Sequence, residues 1–238
     1  MNGITDIAKS INDIEAKLGH HFANKQLLTL AFTHCSYVNE SRTTTQHNER
    51  IEFLGDSVLG LMVSEYLYRT LPNLPEGELS SLRAKLVEAS SCISYIQKLD
   101  LEKYLLLGRG ERMNDGRGRE TILSDLLEAI IGAIFLDGGF NAAQKFFFDK
   151  FKDEIDSILQ APLRNPKAIL QDLCQKKYQI TPHYKVLNEI GPDHSKVFKV
   201  VVLLDENEMG YGEGPSKKEA QAAAAKNALE AFPKESFR

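Results

Sequence analysis

Cysteine is scarce in this chain, and the little there is points away from covalent cross-links. Cys35, Cys92 and Cys174 stand far apart, are odd in number and form no Cys-x-x-Cys pair. That excludes a disulfide framework and offers no spacing for a zinc module. The three read as free buried thiols in a reducing compartment. Long hydrophobic runs are also missing, so no segment has the pattern of a membrane span. Met1 to Asp13 mix charged and apolar residues without the apolar core of a secretory signal, and residence is expected to be cytoplasmic. The six histidines include no His-Glu-x-x-His pair. Gly108, Gly110, Gly116 and Gly118 follow no strand of a βαβ unit and precede no Gly-Lys-Ser, which speaks against nucleotide binding. Positive charge is not in excess either: 29 Lys and Arg face 33 Asp and Glu, for a net charge of -4. As a total this argues weakly against a polyanionic partner, but such binding depends on where the charge sits. A surplus of carboxylates also suits a cation site.

What is present divides the chain in two. Its 238 residues, 42% of them hydrophobic, can bury a core and make one large or two small domains. From about Ile4 to Ile158 the apolar spacing is helical, with Ile51, Leu54, Val58, Leu59, Leu61 and Met62 as one stripe. Leu82, Leu86, Ile93 and Ile96 continue the pattern, and Leu123, Leu126, Leu127, Ile130, Ile131, Ile134 and Phe135 make a strongly apolar helix. Breaks fall at Leu71-Pro72-Asn73-Leu74-Pro75 and at Gly138-Gly139, and the stretch from Gly108 to Gly118 reads as a mobile loop. After residue 160 the pattern changes. Asn165-Pro166 starts a helix, with asparagine as cap and proline in the first turn, running to about Tyr178. Strand-like stretches follow at His183 to Ile190, Val197 to Leu204 and around Met209 to Gly214. An alanine-rich helix from Lys217 to about Phe232 opens on a capping-box spacing, Ser216 and Glu219. The expected organisation is a helical domain over 1–160, a linker over 161–165 and a compact α-β-β-β-α domain of the α+β class over 166–234.

The sharpest feature is His47-Asn48-Glu49-Arg50-Ile51-Glu52-Phe53-Leu54-Gly55-Asp56-Ser57. At about 100° per residue, Glu49 and Asp56 point within roughly 20° of each other and Glu52 lies about 60° away. Three carboxylates on one helix face repel by a few tenths of a kcal/mol per pair, roughly, and a cation turns that cost into binding. Asp125 and Glu128 stand at i, i+3 inside the most apolar helix, where a buried acid needs a partner. A single glutamate on a helix is usually solvated. Two acidic clusters in apolar helices that face each other would instead surround one point with hard oxygen donors suited to Mg²⁺ or Mn²⁺. Such ions generate hydroxide from water and stabilise charge on a phosphate under attack.

At these residues the chain resembles the ribonuclease III family. His47 to Val58 is similar to that family's signature, and Asp125-Leu126-Leu127-Glu128 to its second acidic motif. Ala31-Phe32-Thr33-His34, Pro75-Glu76-Gly77-Glu78-Leu79-Ser80 and Ala129 to Asp137 share its style. The resemblance implies an all-α endonuclease domain with Glu52, Asp56, Asp125 and Glu128 as metal-binding carboxylates, Asp56 and Glu128 being the catalytic pair. It makes Glu49 and Glu76 supporting acidic positions, and Phe53 an aromatic that plugs into a partner subunit; simple core packing of Phe53 is the equal alternative. Cys35 departs from the pattern, which usually carries arginine there. In the tail, the Gly191-Pro192-Asp193-His194 loop and Ser216-Lys217-Lys218-Glu219-Ala220 before an alanine run resemble the double-stranded-RNA-binding domain. That implies Gln171 and His194 at minor grooves and Lys217 and Lys218 on phosphates, a readout by shape and 2′-hydroxyls. Lys226 stands in for a third basic residue, and Gln175 lies one turn from Gln171. Arg109, Arg112, Arg117 and Arg119 either meet an RNA backbone or remain solvated.

The whole implies a homodimeric, cytoplasmic endoribonuclease. It would hydrolyse duplex RNA by metal-activated water, leave 5′-phosphate and 3′-hydroxyl ends, and process ribosomal and messenger RNA precursors. The alternatives are a non-catalytic double-stranded-RNA-binding protein and a metal-dependent phosphohydrolase of small nucleotides. His20 and His21 read as surface groups, and His47 as a helix-start residue rather than an RNA contact.

Overall fold

The computed structural model describes residues 4–41 (side chains from Ile7 onward), 45–113, 118–160, 166–192 and 196–232. The chain divides into two compact units, Met1–Ala161 and Pro162–Arg238. The expected linker over 161–165 and the cap at Asn165 lie outside the described residues.

The first unit is helical: α1 (Ile4–Leu18), α2 (Lys25–Ala31), α3 (Cys35–Glu40), α4 (Glu49–Thr70), α5 (Glu76–Val87), α6 (Ala89–Leu99), α7 (Arg109–Met113), α8 (Arg119–Lys150) and α9 (Lys152–Gln160). Its spine is α8. Ile122, Leu123, Leu126, Leu127, Ile130, Ile131 and Ile134 are all buried, as expected of a helix apolar on every side and enclosed by neighbours. Those neighbours are α2, α4 and α6. The break read at Gly138-Gly139 is a kink within α8, where Gly139 takes φ 79° and ψ -177°. Just before it, the Asp137 carboxylate accepts from the N–H groups of Ala23 (3.0 Å) and Asn24 (2.8 Å) and lies 3.0 Å from His20 Nε2. His20 is therefore a half-buried latch, set edge-on to Phe22, and not the surface group its sequence position suggested. His21 is exposed.

α4 and α8 touch backbone to backbone. A Cβ on Gly55 would lie 1.8 Å from the Glu128 carbonyl oxygen, and one on Gly132 would lie 2.2 Å from that of Ile51. No side chain fits at either position.

The segment read as a mobile loop contains α7. Ser36 Oγ accepts from Gly108 N–H at 2.9 Å, and the Glu40 carboxylate accepts from Arg109 N–H at 2.9 and 3.0 Å. These partners come from α3 and satisfy donors that local glycine-rich sequence leaves open. Residues 114–117, Arg117 among them, lie outside the described residues. Of the three thiols, Cys92 and Cys174 are buried as expected, while Cys35 is only partly so.

The second unit comprises α10 (Pro166–Tyr178), β1 (His183–Ile190), β2 (Val197–Leu204), β3 (Asn207–Gly214) and α11 (Lys217–Ala231). The strands form one antiparallel sheet in the order β1-β2-β3, with a bulge between Val186 and Asn188. Val200, Val202 and Leu204 alternate inward onto Leu170, Cys174, Ala220, Ala224, Ala228 and Phe232. Ser216 Oγ accepts from Glu219 N–H at 3.2 Å, the cap anticipated from spacing.

Candidate metal centre

The glycine crossing sets the site. With no Cβ at Gly55, α4 drops onto α8 at the level of the Glu128 carbonyl. Glu52, one turn before Gly55, then meets Asp125 and Glu128, which share a face of α8. One carboxylate oxygen from each of the three lies within 4.8 Å of the others, the only such group of histidine, cysteine or acidic ligands among the described residues. All around, Leu126, Leu127 and Ala129 are fully buried, so the acids sit at the edge of an apolar interior. Burial first, then the charges of Asp125, Glu49 and Asp56, push the Glu52 carboxyl up to about 7. Burial and the charges of Asp56, Asp125 and Glu52 push Glu128 up to about 7 as well. Burial chiefly raises Asp125. These carboxyls resist ionisation because they are buried and face one another, and a cation between them would offset both effects.

Other expected site residues are distributed around this triplet. Asp56 is exposed and stands beside it, close enough to act on both Glu52 and Glu128. Glu49, also exposed, lies on the first turn of α4 with its Oε2 3.8 Å from His47 Nδ1. Glu76 is apart from the cluster in this chain. It opens α5, accepts from Ser80 Oγ at 2.9 Å and lines a groove of about 420 Å³ with Leu61, Tyr68 and Arg83. Phe53 is 77% exposed, which overturns packing in its own core. His34, to which the sequence assigned no role, is half-buried, and its pKa is lowered by burial against the opposing charges of Glu111, Asp125 and Glu49. Gly55 and Gly132 are the positioning residues that sequence reasoning missed; paired glycines in two apolar helices were the available signal.

In the second unit Gln171 and Gln175 are exposed on α10, opposite buried Leu170 and Cys174. Lys217 and Lys218 are exposed on the first turn of α11, Lys217 Nζ lying 3.0 Å from Glu189 Oε1 and 5.5 Å from the Phe198 ring centre. His194 lies outside the described residues. No helix among them is long and apolar enough to cross a membrane.

The raised carboxyls give a measurable consequence. Relative to an ordinary value of 4.5, Glu52 and Glu128 bind protons more tightly when folded. Without metal the folded protein is therefore favoured at low pH, and it loses stability as pH rises from about 4.5 to about 7. A divalent cation should restore that loss above about pH 7. A hundredfold excess of free cation over Kd contributes about 2.7 kcal/mol, on the order of 5–10 °C in Tm for a domain of this size. Melting curves with and without Mg²⁺ across this range test it; a Tm indifferent to the cation above pH 7 would contradict the assignment.

Three converging carboxylates in a helical domain, followed by a small α-β-β-β-α unit, form the arrangement that the comparisons with known proteins place among the nucleases. Residues 24–155 match the Ribonuclease-III-like family, and residues 166–231 match the double-stranded RNA binding motif. Ribonuclease 3 of Protochlamydia amoebophila is 63% identical over 229 residues, covering 96% of this chain and 95% of that protein. Ribonuclease 3 of Borreliella burgdorferi is 46% identical over 212 residues, covering 89% and 86%. The crystal structure of the nuclease domain of ribonuclease III from Campylobacter jejuni superposes with a TM-score of 0.56 at 40% identity, covering 61% of this chain and 96% of that domain. The chain belongs to the ribonuclease III family.

Proposed function

We infer that this chain is a double-strand-specific endoribonuclease whose cation is held by Glu52, Asp125 and Glu128, with Asp56 at the mouth of the site. The convergence of the three carboxylates carries the reading. Their oxygens fit Mg²⁺, with Mn²⁺ as a substitute. A bound divalent cation supplies an acidified water and neutralises charge on the phosphate under attack. Of the chain's own groups, the triplet orients that charge at one point, and Asp56 and Glu128 are the catalytic pair. Water attacks the phosphorus and the P–O3′ bond breaks, so the 3′ oxygen leaves and takes a proton as a hydroxyl while the phosphate stays on the 5′ end. Gln171, His194, Lys217 and Lys218 are the proposed duplex contacts, read by shape and phosphate position. Ribosomal and messenger RNA precursors in the cytoplasm are the proposed substrates. A merely RNA-binding protein would have no need of the four carboxylates, and a small-nucleotide hydrolase would have no need of the second unit. Purified protein should shorten long duplex RNA only when Mg²⁺ is present; cleavage that persists in chelator, or none in Mg²⁺, would reject the reading.

A homodimer built on α4 is part of the same proposal. Phe53, Leu61 and Tyr68 are 77%, 59% and 75% exposed along this helix. Beside Phe53 lies a groove of about 450 Å³ whose apolar lining, Leu30, Ile51, Leu54 and Leu136, is shared with Thr45, Gln46, His47 and Arg50. A two-fold axis would place each ring against the other subunit's groove. One Campylobacter jejuni nuclease-domain structure, 40% identical, with a TM-score of 0.54 and covering 60% of this chain and 99% of its own, was described for flexibility in a region involved in dimer formation. Because the ring is already exposed, Phe53→Ala should leave the monomer's stability unchanged. It should weaken the dimer by about 2 kcal/mol or more, roughly 30-fold in Kd. Sedimentation over a dilution series reads this directly, and a mutant that dissociates at the parent's concentration would remove Phe53 from the interface.

A further inference from the structure

Lys217, at the start of α11, already faces an anion of the chain's own. Glu189, near the end of β1, turns one carboxylate oxygen toward each of two lysines. Its Oε1 lies 3.0 Å from Lys217 Nζ and its Oε2 lies 3.9 Å from Lys196 Nζ. Lys196 immediately precedes β2, so the carboxylate ties the β1–β2 connection to the first turn of the last helix. Lys217 is held from a second side as well, with Nζ 5.5 Å from the centre of the Phe198 ring. Ion pair and ring contact together fix the ammonium at one place on the surface.

The strand register explains the meeting. Glu189 pairs with Phe198 across the two strands, and directly opposed residues share a face of the sheet. Phe198 packs on the side that carries Ala220 and Ala224 of α11, so Glu189 faces the start of that helix. The bulge between Val186 and Asn188 is the cause. In an unbroken ladder Glu189 would oppose Val197 and point to the other face.

The three side chains are 58% (Lys217), 38% (Glu189) and 37% (Lys196) exposed. Ion pairs this open to water are weakly held and exchange readily. A backbone phosphate brought to Lys217 meets an ammonium already engaged by a carboxylate. Once the phosphate has displaced it, Glu189 is left beside a polyanion, where like charges repel.

We propose that Glu189 is an internal competitor of the RNA phosphate, an inference that rests on the reading of Lys217 as a phosphate contact. Its carboxylate occupies Lys217 and Lys196 and sets duplex affinity below what the two lysines alone would give. A clamp weakened in this way favours release of the cut duplex, since changes in affinity show mainly in the dissociation rate.

Anisotropy of a labelled short duplex RNA, titrated with the full chain in chelator over a salt series, tests this. Glu189→Gln should bind about fivefold tighter, equivalent to ~1 kcal/mol, the upper end for an exposed ion pair. Its dependence of log affinity on log salt should steepen by about one phosphate equivalent. Glu189→Asp keeps the charge and should keep the parental slope. The gain from Glu189→Gln should shrink when Lys217 is already alanine, as coupled residues require. Parental or weaker binding by Glu189→Gln, beside a Lys217→Ala protein that binds more weakly than the parent, would overturn the competitor and leave Lys217 a phosphate contact. A gain of the same size without Lys217, or the same steepening in Glu189→Asp, would overturn it too. Parental affinity and slope in Lys217→Ala would instead remove the phosphate contact, and the competitor with it.

Discussion

A Glu128→Gln protein should bind double-stranded RNA with parental affinity and cut it at least about a hundredfold more slowly, since removing even an outer partner of a metal ligand costs about 10- to 100-fold. Glutamine keeps the size and one acceptor oxygen and loses the charge. Duplex affinity is assigned to the second unit, so it should survive. The alternative is that Glu128 is structural, and stability separates the two. In the parent, burial and the charges of Asp56, Asp125 and Glu52 push this carboxyl up to about 7. Ionised Glu128 therefore costs folding free energy above that pH when no cation is present. Removing it should leave the metal-free protein as stable as the parent or more so. A structural glutamate would give the opposite, a lower melting temperature with cleavage falling only as the folded fraction falls. Excess Mn²⁺ should recover part of the rate, because the defect is in ion affinity. A well-folded Glu128→Gln protein that cuts at the parental rate would falsify the ligand assignment.

The triplet was legible because acids in apolar helices are anomalous: Asp125 and Glu128 interrupt a run in which nearly every neighbour is buried. The helical wheel put Glu49, Glu52 and Asp56 on one face of α4, but it cannot say where α8 crosses. The crossing at Gly55 and Gly132 brings Glu52 into the triplet and leaves Asp56 exposed beside it. The second unit was legible almost to its ends, because the valine-rich run from Val197 to Leu204 reads as a strand and Ser216 caps as its spacing suggested. What could not be read were features made by distant partners. α7 looked like a loop until Glu40 and Ser36 supplied acceptors for its first donors, and His20 looked superficial until Asp137 met it.

Gly55→Ala sets local and tertiary expectations against each other. Alanine is the better helix former, by about 1 kcal/mol in a helix interior. If α4 were free at this point, the substitution would stabilise the protein. The added Cβ would instead lie 1.8 Å from the Glu128 carbonyl oxygen and 2.6 Å from its carbon, both backbone atoms with no freedom to rotate away. Relief requires α4 to lift off α8 by more than 1 Å, roughly, to regain an ordinary contact of about 3.5 Å. Overpacking typically costs about 1–3 kcal/mol and occasionally more, and here the upper end applies. At about 2–4 °C per kcal/mol for a domain of this size, Tm should fall by about 6–12 °C. Cleavage should fall further than stability, measured well below the new Tm, because the same displacement pulls Glu52 away from Asp125 and Glu128. A misplacement of about 1 Å can cost on the order of 100-fold in rate. Gly77→Ala, on the first turn of α5 with nothing within 4 Å of its added Cβ, is the control and should be neutral or slightly stabilising. If Gly55→Ala melts with or above the parent and cuts at its rate, the two helices are not in backbone contact there, and the geometry that assembles the triplet is wrong.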